Sequence, residues 1–477
     1  MSKILLVEPS FPYPNKSKNH KNFFPIGLLK IASYYRYHGN SVFLVRGNKK
    51  KNELKKFQKK YTYKSLREEK INKYYKLKIL REKFLKNFKK NRFKIISKIK
   101  NDKSFLEFKC YIPDKILITS LFTYWSSYVK DSVDHYRKLF PNAEIIVGGI
   151  YASLMPEHCR QYTQCDSVFK GVHKEAEKFP PMYSLIEGYN GDSIDFQIVH
   201  TSRGCPRKCK FCGTWIVEPK FEYKKSIFNE IIKRKIIFYD NNLLMNPNIE
   251  NILNELIKLR KQKKILWCES QSGFDGRILL DKPYLANLIY EAGFRYPRIA
   301  WDWGIEKSNN IKKQIDILVN GGYNYSEIFV FMIYNWDITF EEMEKKRIKC
   351  WEWKVQISDC RYRPLNQTFD NYNPYSKRTQ NTKEYYIHEE RNWSDQLIRQ
   401  FRRNIRRQNI CIRQNVDFYS TVFERKKAEK NQIQKTKKMN KLEIKNYMKK
   451  LGFDYWFPDE INYPINYSNK IKQTIIA

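Results

Sequence analysis

Several features that would assign a protein to a membrane or secretory class are missing from this sequence. No apolar run approaches the roughly 18 consecutive residues that a membrane-spanning helix requires. The stretch Ile4–Val7 is also too short for the hydrophobic part of a secretory signal peptide. These absences predict a cytoplasmic protein without a transmembrane segment.

The sequence also lacks the second closely spaced cysteine pair that would complete a zinc ribbon. It contains 10 cysteines in 477 residues, which is ordinary usage, and Cys268, Cys350 and Cys360 stand alone. In a cytoplasmic chain, clustered cysteines bind metal or do redox work more often than they form disulfides.

Acidic residues are scarce relative to basic ones, and the formal net charge is +41. Residues 49–103 contain 23 Lys and Arg against 5 Asp and Glu, residues 424–450 contain 11 against 3, and residues 399–413 contain six arginines and no acid. A nucleic acid or another polyanion is therefore a candidate partner of these segments. Abundant Lys, Asn, Ile, Tyr and Phe are also what AT-rich coding favours, and under that alternative the lysines serve only solubility.

The most informative feature that is present is a group of three cysteines, Cys205, Cys209 and Cys212, in the segment RGCPRKCKFC. Three thiolates at this spacing can hold three irons of a cubane 4Fe–4S cluster and leave the fourth iron without a protein ligand. An open coordination position distinguishes a catalytic metal site from a structural one. The alternative is that these cysteines are buried packing residues or half of a disulfide framework.

The C-x-x-x-C-x-x-C spacing, with Gly204 before it and Phe211 before the last cysteine, resembles the signature of the radical S-adenosylmethionine superfamily. The resemblance implies a 4Fe–4S cluster whose fourth iron binds S-adenosylmethionine and whose electron cleaves the sulfonium, giving a 5′-deoxyadenosyl radical. It also implies an electron donor such as flavodoxin or ferredoxin. The protein itself would position the substrate and exclude side reactions.

Strand-like and helix-like segments alternate over residues 1–180. Strands are predicted at 3–7, 42–45, 116–120 and 144–147, and helices at 25–38 and 126–140. This alternation predicts a doubly wound, Rossmann-like parallel sheet. Ligands of such sheets bind at the carboxyl ends of the strands, which here are residues 9–14, 120–124 and 148–151.

This arrangement is similar to the cobalamin-binding domain that precedes the radical domain in one large class of the superfamily. The resemblance implies that Gly148 and Gly149 let the backbone approach the nucleotide tail of the corrinoid. The D-x-H-x-x-G loop that supplies an axial histidine in many cobalamin proteins is absent, and His20 is a weak substitute. Bound cobalamin and a sheet domain without it both stay open, since a Gly-Gly pair after a strand is otherwise a tight turn.

A basic insertion, residues 48–109, separates the second and third strands and has apolar residues at helical spacing. We predict an amphipathic helical hairpin that is either a solvated lid or a clamp for an anionic partner.

After the link Phe179–Pro181, a second alternating region spans residues 190–370. Its strands are predicted at 196–200, 236–239, 265–269, 298–301, 328–333 and 355–357, and helices at 249–261 and 285–291. Six βα units after a cysteine loop predict a partial (β/α)6 TIM-type barrel with its site at the carboxyl ends of the strands.

Polar residues at these strand ends are candidate ligands of the S-adenosylmethionine cofactor. In the superfamily a Gly-Gly-Glu motif often follows the second strand, and Asp240-Asn241-Asn242 stands there instead. Asp240 can still accept a hydrogen bond from the cofactor's ammonium group, and its alternative role is a helix cap or turn residue. The other candidate cofactor-binding residues are Glu269, Gln271, Arg277, Arg298 and Asn335. Further polar residues that mark the mouth where the substrate is expected are Asp302, Glu306, Asp337 and residues 359–364.

Residues 371–477 are predicted to form a basic, mainly helical extension. A helix at 393–413 would place five arginines on one face: Arg399, Arg402, Arg403, Arg406 and Arg407. That face either recognises phosphate, or is solvated, or pairs with internal acids. Residues 424–450 are predicted to form a lysine-rich helix or a flexible arm.

The sequence therefore predicts a radical S-adenosylmethionine enzyme with an unknown substrate. C-methylation of an unactivated carbon is expected if cobalamin binds, and another hydrogen abstraction if it does not. Two alternatives stay open: an RNA-modifying enzyme of the same superfamily, and a nucleic-acid-binding protein with a structural or sensory cluster. Methylthiolating RNA enzymes carry three extra cysteines in the first domain, and the spacing of Cys110, Cys159 and Cys165 is not theirs.

Overall fold

The computed structural model describes residues 2–13, 24–50, 53–54, 112–186, 194–420 and 435–460. The chain divides into two compact units, residues 1–191 and 192–477. The predicted hairpin in the insertion lies almost wholly outside the described residues, as do His20 and Cys110.

The N-terminal unit is built on one five-stranded parallel sheet. Its strands are β1 (Lys3–Glu8), β2 (Ser41–Arg46), β3 (Lys115–Ser120), β4 (Glu144–Gly149) and β5 (Ser167–Phe169). Its α-helices are α1 (Ile26–Tyr37), α2 (Ser126–Leu139), α3 (Ile150–Leu154), α4 (Pro156–Thr163) and α5 (Lys174–Glu177). The strand order is β2-β1-β3-β4-β5, with all pairs parallel, which confirms the doubly wound Rossmann-like prediction.

The apolar runs of this sheet are buried on both faces, as in a parallel sheet covered by helices. All of Ile4–Val7 is buried, and so are Ile116, Ile118 and Val147 in the neighbouring strands. The strand order reverses at β1 and β3. The carboxyl ends of these two strands therefore border the crevice where ligands of doubly wound sheets bind.

Gly149, the last residue of β4, has a φ of +101°, and a Cβ on it would overlap the backbone oxygen of Ser120 in β3. Because both the backbone conformation and the space require glycine, we expect Gly149→Ala to lower the free energy of unfolding by about 2–4 kcal/mol. Urea unfolding followed by circular dichroism measures this loss.

Gly27, in α1, is the matched control, since nothing lies within 4 Å of the position that its Cβ would take. Gly27→Ala should leave the free energy of unfolding unchanged or raise it by up to about 1 kcal/mol. Equal stability of the Gly149→Ala variant and the wild type would contradict the close approach of β4 to β3.

The second unit contains six parallel strands that follow one another in space as they do in sequence. The strands of this unit are β6 (Phe196–Val199), β7 (Ser202–Arg203), β8 (Glu222–Tyr223), β9 (Lys235–Phe238), β10 (Trp267–Ser270), β11 (Arg298–Ala300), β12 (Phe329–Tyr334), β13 (Gln356–Arg361), β14 (Tyr419–Ser420) and β15 (Tyr455–Trp456). Six of these strands form the parallel series, in two sheets of three. The first sheet has the order β10-β9-β6 and the second has the order β11-β12-β13. Parallel bridges Cys268–Phe294 and Phe274–Ile299 connect the two.

The predicted (β/α)6 order is confirmed, with one interruption of the hydrogen-bonded ladder between β10 and β11. The α-helices of this unit are α6 (Thr214–Val217), α7 (Ile249–Lys261), α8 (Gly276–Asp281), α9 (Leu285–Glu291), α10 (Ser308–Asn320), α11 (Phe340–Glu352), α12 (Asp395–Gln414) and α13 (Lys441–Lys450). Helices α7 and α9 have the predicted bounds. Residue 393, predicted as the start of α12, lies outside the helix, because Ser394 caps it by accepting a hydrogen bond from the Leu397 amide.

Residues beyond 371 pack into the same apolar core as the strands. Tyr385, Trp393, Phe401 and Ile405 are buried together with side chains of β12 and β13. The division into three domains stays a prediction, but this shared core joins residues 385–405 physically to the βα units. Among the described residues, no helix has the length and apolar character needed to cross a membrane.

Candidate functional site

The cysteine loop lies between β7 and α6, so it follows the first strand of the βα series. Cys205, Cys209 and Cys212 are all half-buried. Burial, then the charges of Asp302, Cys212 and Cys205, raises the pKa of Cys209. The three thiols are therefore electrostatic neighbours as well as neighbours in sequence.

Gly204 is required immediately before the first cysteine. Its φ is +79°, and a Cβ would overlap the carbonyl oxygen of Lys220. Its amide donates a hydrogen bond to Glu218 Oε2 at 2.7 Å, and Arg203 Nη1 lies 3.4 Å from Glu218 Oε1. The segment after the loop therefore holds the start of the loop in place.

Asp240, two residues after the second strand of the series, is fully buried and anchors the residues before the loop. Its Oδ1 accepts hydrogen bonds from the Thr201 amide at 2.9 Å, the Ser202 amide at 2.6 Å and the Ser202 hydroxyl at 2.8 Å. Burial raises the pKa of Asp240, and these hydrogen bonds act in the opposite direction. The predicted contact with the cofactor stays a prediction, whereas this positioning role was not predicted.

The two asparagines that follow Asp240 extend this network to other parts of the loop. Asn241 Nδ2 donates to Glu218 at 2.8 Å, and Asn242 Nδ2 donates to Asp275 Oδ2 at 3.0 Å. Asp275 Oδ2 also accepts a hydrogen bond from Arg207 Nε, inside the cysteine loop, at 2.9 Å. The segment that replaces the Gly-Gly-Glu motif is thus a support for the loop.

Three predicted cofactor-binding residues form one polar cluster where the end of β10 lies beside the start of β11. Buried Glu269 accepts hydrogen bonds from Arg298 Nη2 at 2.8 Å and from Gln271 Nε2 at 3.1 Å. Arg298 Nη1 donates to the Ser270 carbonyl at 2.7 Å. Charge compensation between Glu269 and Arg298 makes their burial tolerable.

The other two predicted residues of this unit lie elsewhere. Arg277 is exposed and pairs with Asp275 through Nε at 2.9 Å and Nη2 at 3.0 Å. Asn335 is fully buried with a φ of +57°. Its Nδ2 donates a hydrogen bond to the Tyr386 carbonyl at 3.0 Å, and its Oδ1 accepts one from the His388 amide at 2.8 Å. Asn335 therefore organises backbone at the strand end, and its contact with the cofactor stays a prediction.

The donor set of the loop fits a polynuclear cluster. Within the part of the chain that the structure describes, no three His, Cys, Asp or Glu side chains converge as they would on one metal ion. A cubane cluster places each protein-bound iron on a different corner, so each thiolate meets its own iron. Cys205, Cys209 and Cys212 offer three thiolates for three irons.

No protein-family model and no curated protein matches the chain. The chain is similar to two solved structures of the radical S-adenosylmethionine methyltransferase TsrM from Kitasatospora setae. The structure with cobalamin and a 4Fe–4S cluster bound is 13% identical over 77% of each chain, with a TM-score of 0.47. The structure with tryptophan substrate and the analogue aza-SAM is 13% identical over 77% of this chain and 75% of that one, with a TM-score of 0.46.

Lys346, a charged group that the sequence did not single out, lies close to Asp302, one of the residues predicted to mark the mouth. Lys346 is fully buried, and its Nζ donates to the carbonyls of Trp301 at 2.7 Å and Trp303 at 2.8 Å, directly beside Asp302 in sequence. Burial raises the pKa of Asp302 to about 6, and Lys346 and Arg277 oppose that shift. Helical spacing in α11 does not distinguish Lys346 from the other lysines of the helix. Only the tertiary contacts show that Lys346 is the buried one.

Lys346 leads to a pH prediction. Burial lowers its pKa to about 8, against the opposing charge of Asp302. Between about pH 8 and the ordinary lysine value, the folded protein has released a proton that the unfolded chain still holds, so this group makes stability rise with pH. Relative to Lys346→Gln, the wild-type free energy of unfolding should rise by about 1–2 kcal/mol from about pH 8 to about pH 10.

Urea unfolding at several pH values checks this. Lys349→Gln, in the same helix, is the control, because Lys349 is only half-buried and pairs with Glu352 at 2.8 Å. It should follow the wild-type profile. Parallel profiles for wild type and Lys346→Gln would show that Lys346 does not titrate in this range.

In the N-terminal unit, aromatic side chains gather at the crevice between β1 and β3. Phe11 stacks on Trp125 with ring centroids 5.2 Å apart, and Phe122 stacks on Tyr124 at 4.9 Å. Phe122 is 42% exposed. Gly148 and Gly149 end β4 at the same edge of the sheet, but the conformation of Gly149 is already explained by its approach to β3.

The arginines of α12 have different surroundings. Arg399 pairs with Asp395 at 2.8 Å and also donates to Gln380 at 2.8 Å. Arg407 lies 5.2 Å over the Tyr419 ring. Arg403 and Arg406 are exposed. Arg402 is exposed, and its Nε lies 3.9 Å from Asp359 Oδ2. The internal-partner interpretation therefore holds for Arg399 and Arg402, and recognition of a nucleic acid or another polyanion stays a prediction for Arg403 and Arg406.

Proposed function

We propose that this chain is a radical S-adenosylmethionine enzyme that uses a 4Fe–4S cluster. The observation that carries the proposal is the cysteine loop: three thiols at the C-x-x-x-C-x-x-C spacing lie after the first of six consecutive parallel strands. Asp240, Asn241 and Asp275, from the ends of the next two strands, hold this loop in place. Active sites of such βα arrangements are at the carboxyl ends of the strands.

Cys205, Cys209 and Cys212 would hold the cluster. When bound, the cluster supplies the electron that cleaves the sulfonium of S-adenosylmethionine. The protein's own task is to orient the cofactor and the substrate and to keep water away from the radical. The cluster of Glu269, Gln271 and Arg298, with Arg277 beside the loop, offers charged and amide groups for the cofactor's polar atoms.

Cobalamin-dependent C-methylation is the finer form of the proposal. The exposed Phe122–Tyr124 stack offers a flat apolar surface at the crevice where ligands of doubly wound sheets bind. Residues 9–13, 120–125 and 148–151, which border it, contain no histidine, so they supply no axial imidazole. Expression with the vitamin supplied, followed by a visible spectrum of the purified protein, tests this form.

The proposed function is tested by anaerobic reconstitution of the full chain with iron and sulfide. Reduction in the presence of S-adenosylmethionine should yield 5′-deoxyadenosine and methionine, or a methylated product together with S-adenosylhomocysteine. Full loading with iron and sulfide but no cleavage of S-adenosylmethionine would overturn the proposal. It would favour a structural or sensory cluster instead.

A further inference from the structure

The second sheet of the βα unit has one face in the core and one open face. Ile299, Val330, Met332 and Ile357 are buried in the core shared with the helices. Side chains alternate between the two faces of a strand. The opposite face carries seven residues that are half-buried or exposed. Arg298 and Phe329 are the first residues of their strands, and the five that follow are called the lumen wall: Ala300, Phe331, Ile333, Ser358 and Cys360.

The residues of the lumen wall are aligned by the strand register. Ala300 lies beside Phe331, Phe331 beside Ser358, and Ile333 beside Cys360. The wall is therefore one continuous surface, made largely of apolar side chains. In the first sheet the corresponding positions Ile198, Ile237 and Glu269 are buried.

These three inner positions of the first sheet are thus covered, whereas the residues of the lumen wall are not. An open, mainly apolar inner wall is unusual for a folded protein unless a ligand covers it.

Asp302 lies two residues beyond Ala300, at the end of this wall. The charge of Asp302 contributes to raising the pKa of Cys209 in the cysteine loop and of Cys360 in the wall. Asp302 is therefore near both the proposed cluster ligands and the lumen wall. Within the described part of the chain, no group donates a hydrogen bond to the Asp302 carboxylate. A half-buried carboxylate without a donor is costly, so it is a site where a ligand's donor would be favoured.

Aromatic side chains border the same end of the second sheet. Trp336, just after β12, contacts Tyr362, just after β13, with ring centroids 4.1 Å apart. Phe211 of the cysteine loop meets Trp336 at 6.1 Å. These rings place further apolar surface between the lumen wall and the loop.

We propose that Asp302 and the lumen wall bind the substrate, and that this substrate joins an apolar, ring-containing body to an ammonium group. Calling this ligand the substrate rests on the proposed function, but the binding site itself does not depend on that function. The ammonium donates a charge-assisted hydrogen bond to Asp302. The apolar body covers Phe331 and Ile333 and gains free energy from the area removed from water.

The probes are 2-phenylethylamine and its isostere 2-phenylethanol, and binding to the full chain is measured by saturation-transfer NMR titration. We expect the amine to bind wild type at least tenfold more tightly than it binds the Asp302→Asn variant. The alcohol should bind both proteins equally and weakly. Ser358→Phe, which fills the wall, should weaken binding of both probes.

Asp417→Asn is the matched control, because Asp417 is exposed and pairs with Lys354 at 3.1 Å. It should bind the amine as wild type does. Failure of the amine to bind wild type, or equal affinities for wild type and Asp302→Asn, would overturn the inference. A loss of S-adenosylmethionine affinity in Asp302→Asn with unchanged amine binding would also overturn it, since Asp302 would then serve the cofactor.

These outcomes are separable from the test of the proposed function. Amine binding needs neither an iron–sulfur cluster nor a reductant, whereas formation of 5′-deoxyadenosine needs both. Normal amine binding without cleavage of S-adenosylmethionine would therefore overturn the proposed function and leave the binding site standing. Cleavage of S-adenosylmethionine without amine binding would overturn the binding site and leave the proposed function standing.

Discussion

Replacement of Cys209 by Ala is expected to remove most of the iron from reconstituted protein and to abolish formation of 5′-deoxyadenosine. Cys209 is the middle ligand of the loop, and a cubane held by only two protein thiolates loses one of its three anchored irons. Iron and sulfide content, together with the electron paramagnetic resonance signal of the reduced protein, measures the loss. Product formation should fall by at least about 100-fold.

Cys411→Ala is the matched control for this experiment. Cys411 is buried in α12 and lies among apolar side chains such as Trp351 and Ile412. Its replacement should leave iron content and cleavage of S-adenosylmethionine at wild-type levels. Retention of a wild-type cluster signal in Cys209→Ala would contradict the assignment of the three-cysteine loop as the cluster site.

Asp240→Ala is expected to have the largest effect on stability, with a loss of about 3–5 kcal/mol in the free energy of unfolding. The carboxylate is fully buried and accepts hydrogen bonds from the amides and hydroxyls of Thr201 and Ser202. Its removal leaves these buried donors without an acceptor. Because they immediately precede the cysteine loop, iron loading should fall in the same variant.

Two further variants make this prediction specific. Asp240→Asn keeps one acceptor oxygen and should lose less stability than Asp240→Ala. Asp281→Ala removes an exposed carboxylate at the end of α8 and should change the free energy of unfolding by less than about 0.5 kcal/mol. Urea unfolding of the three variants tests the order. An Asp240→Ala variant as stable as Asp281→Ala would exclude the anchoring role.

Ten strands of the two units could be located from sequence because each is a short apolar run bounded by glycine, proline or polar residues. The other five, β5, β7, β8, β14 and β15, were not predicted, because two or three residues are too few to form such a run. Helices α7 and α9 were located even more closely, since helical periodicity is accompanied by Pro247 near the start of α7 and Gly293 after the end of α9. Strand ends were less certain. The sixth strand continues to Arg361, four residues past the predicted end, because its pairing with β12 extends beyond its apolar part.

The candidate site was only partly predictable. Glu269, Gln271 and Arg298 do lie together, because the end of β10 lies beside the start of β11. Asp240 was singled out as a possible cofactor ligand, but its hydrogen bonds join it to residues 38 and 39 positions away. Such pairing depends on which strands become neighbours, and no local pattern contains that information.

The sequence by itself determined the cysteine spacing, the alternation of strands and helices, and the location of the basic segments, because each is a property of residues close together along the chain. The tertiary structure alone decided the positions of the Asp240 anchor, the open lumen wall and Asp302. These arise where residues from separate strands meet at one edge of a sheet. Burial there changes the cost of each charge, and burial is a property of the whole fold.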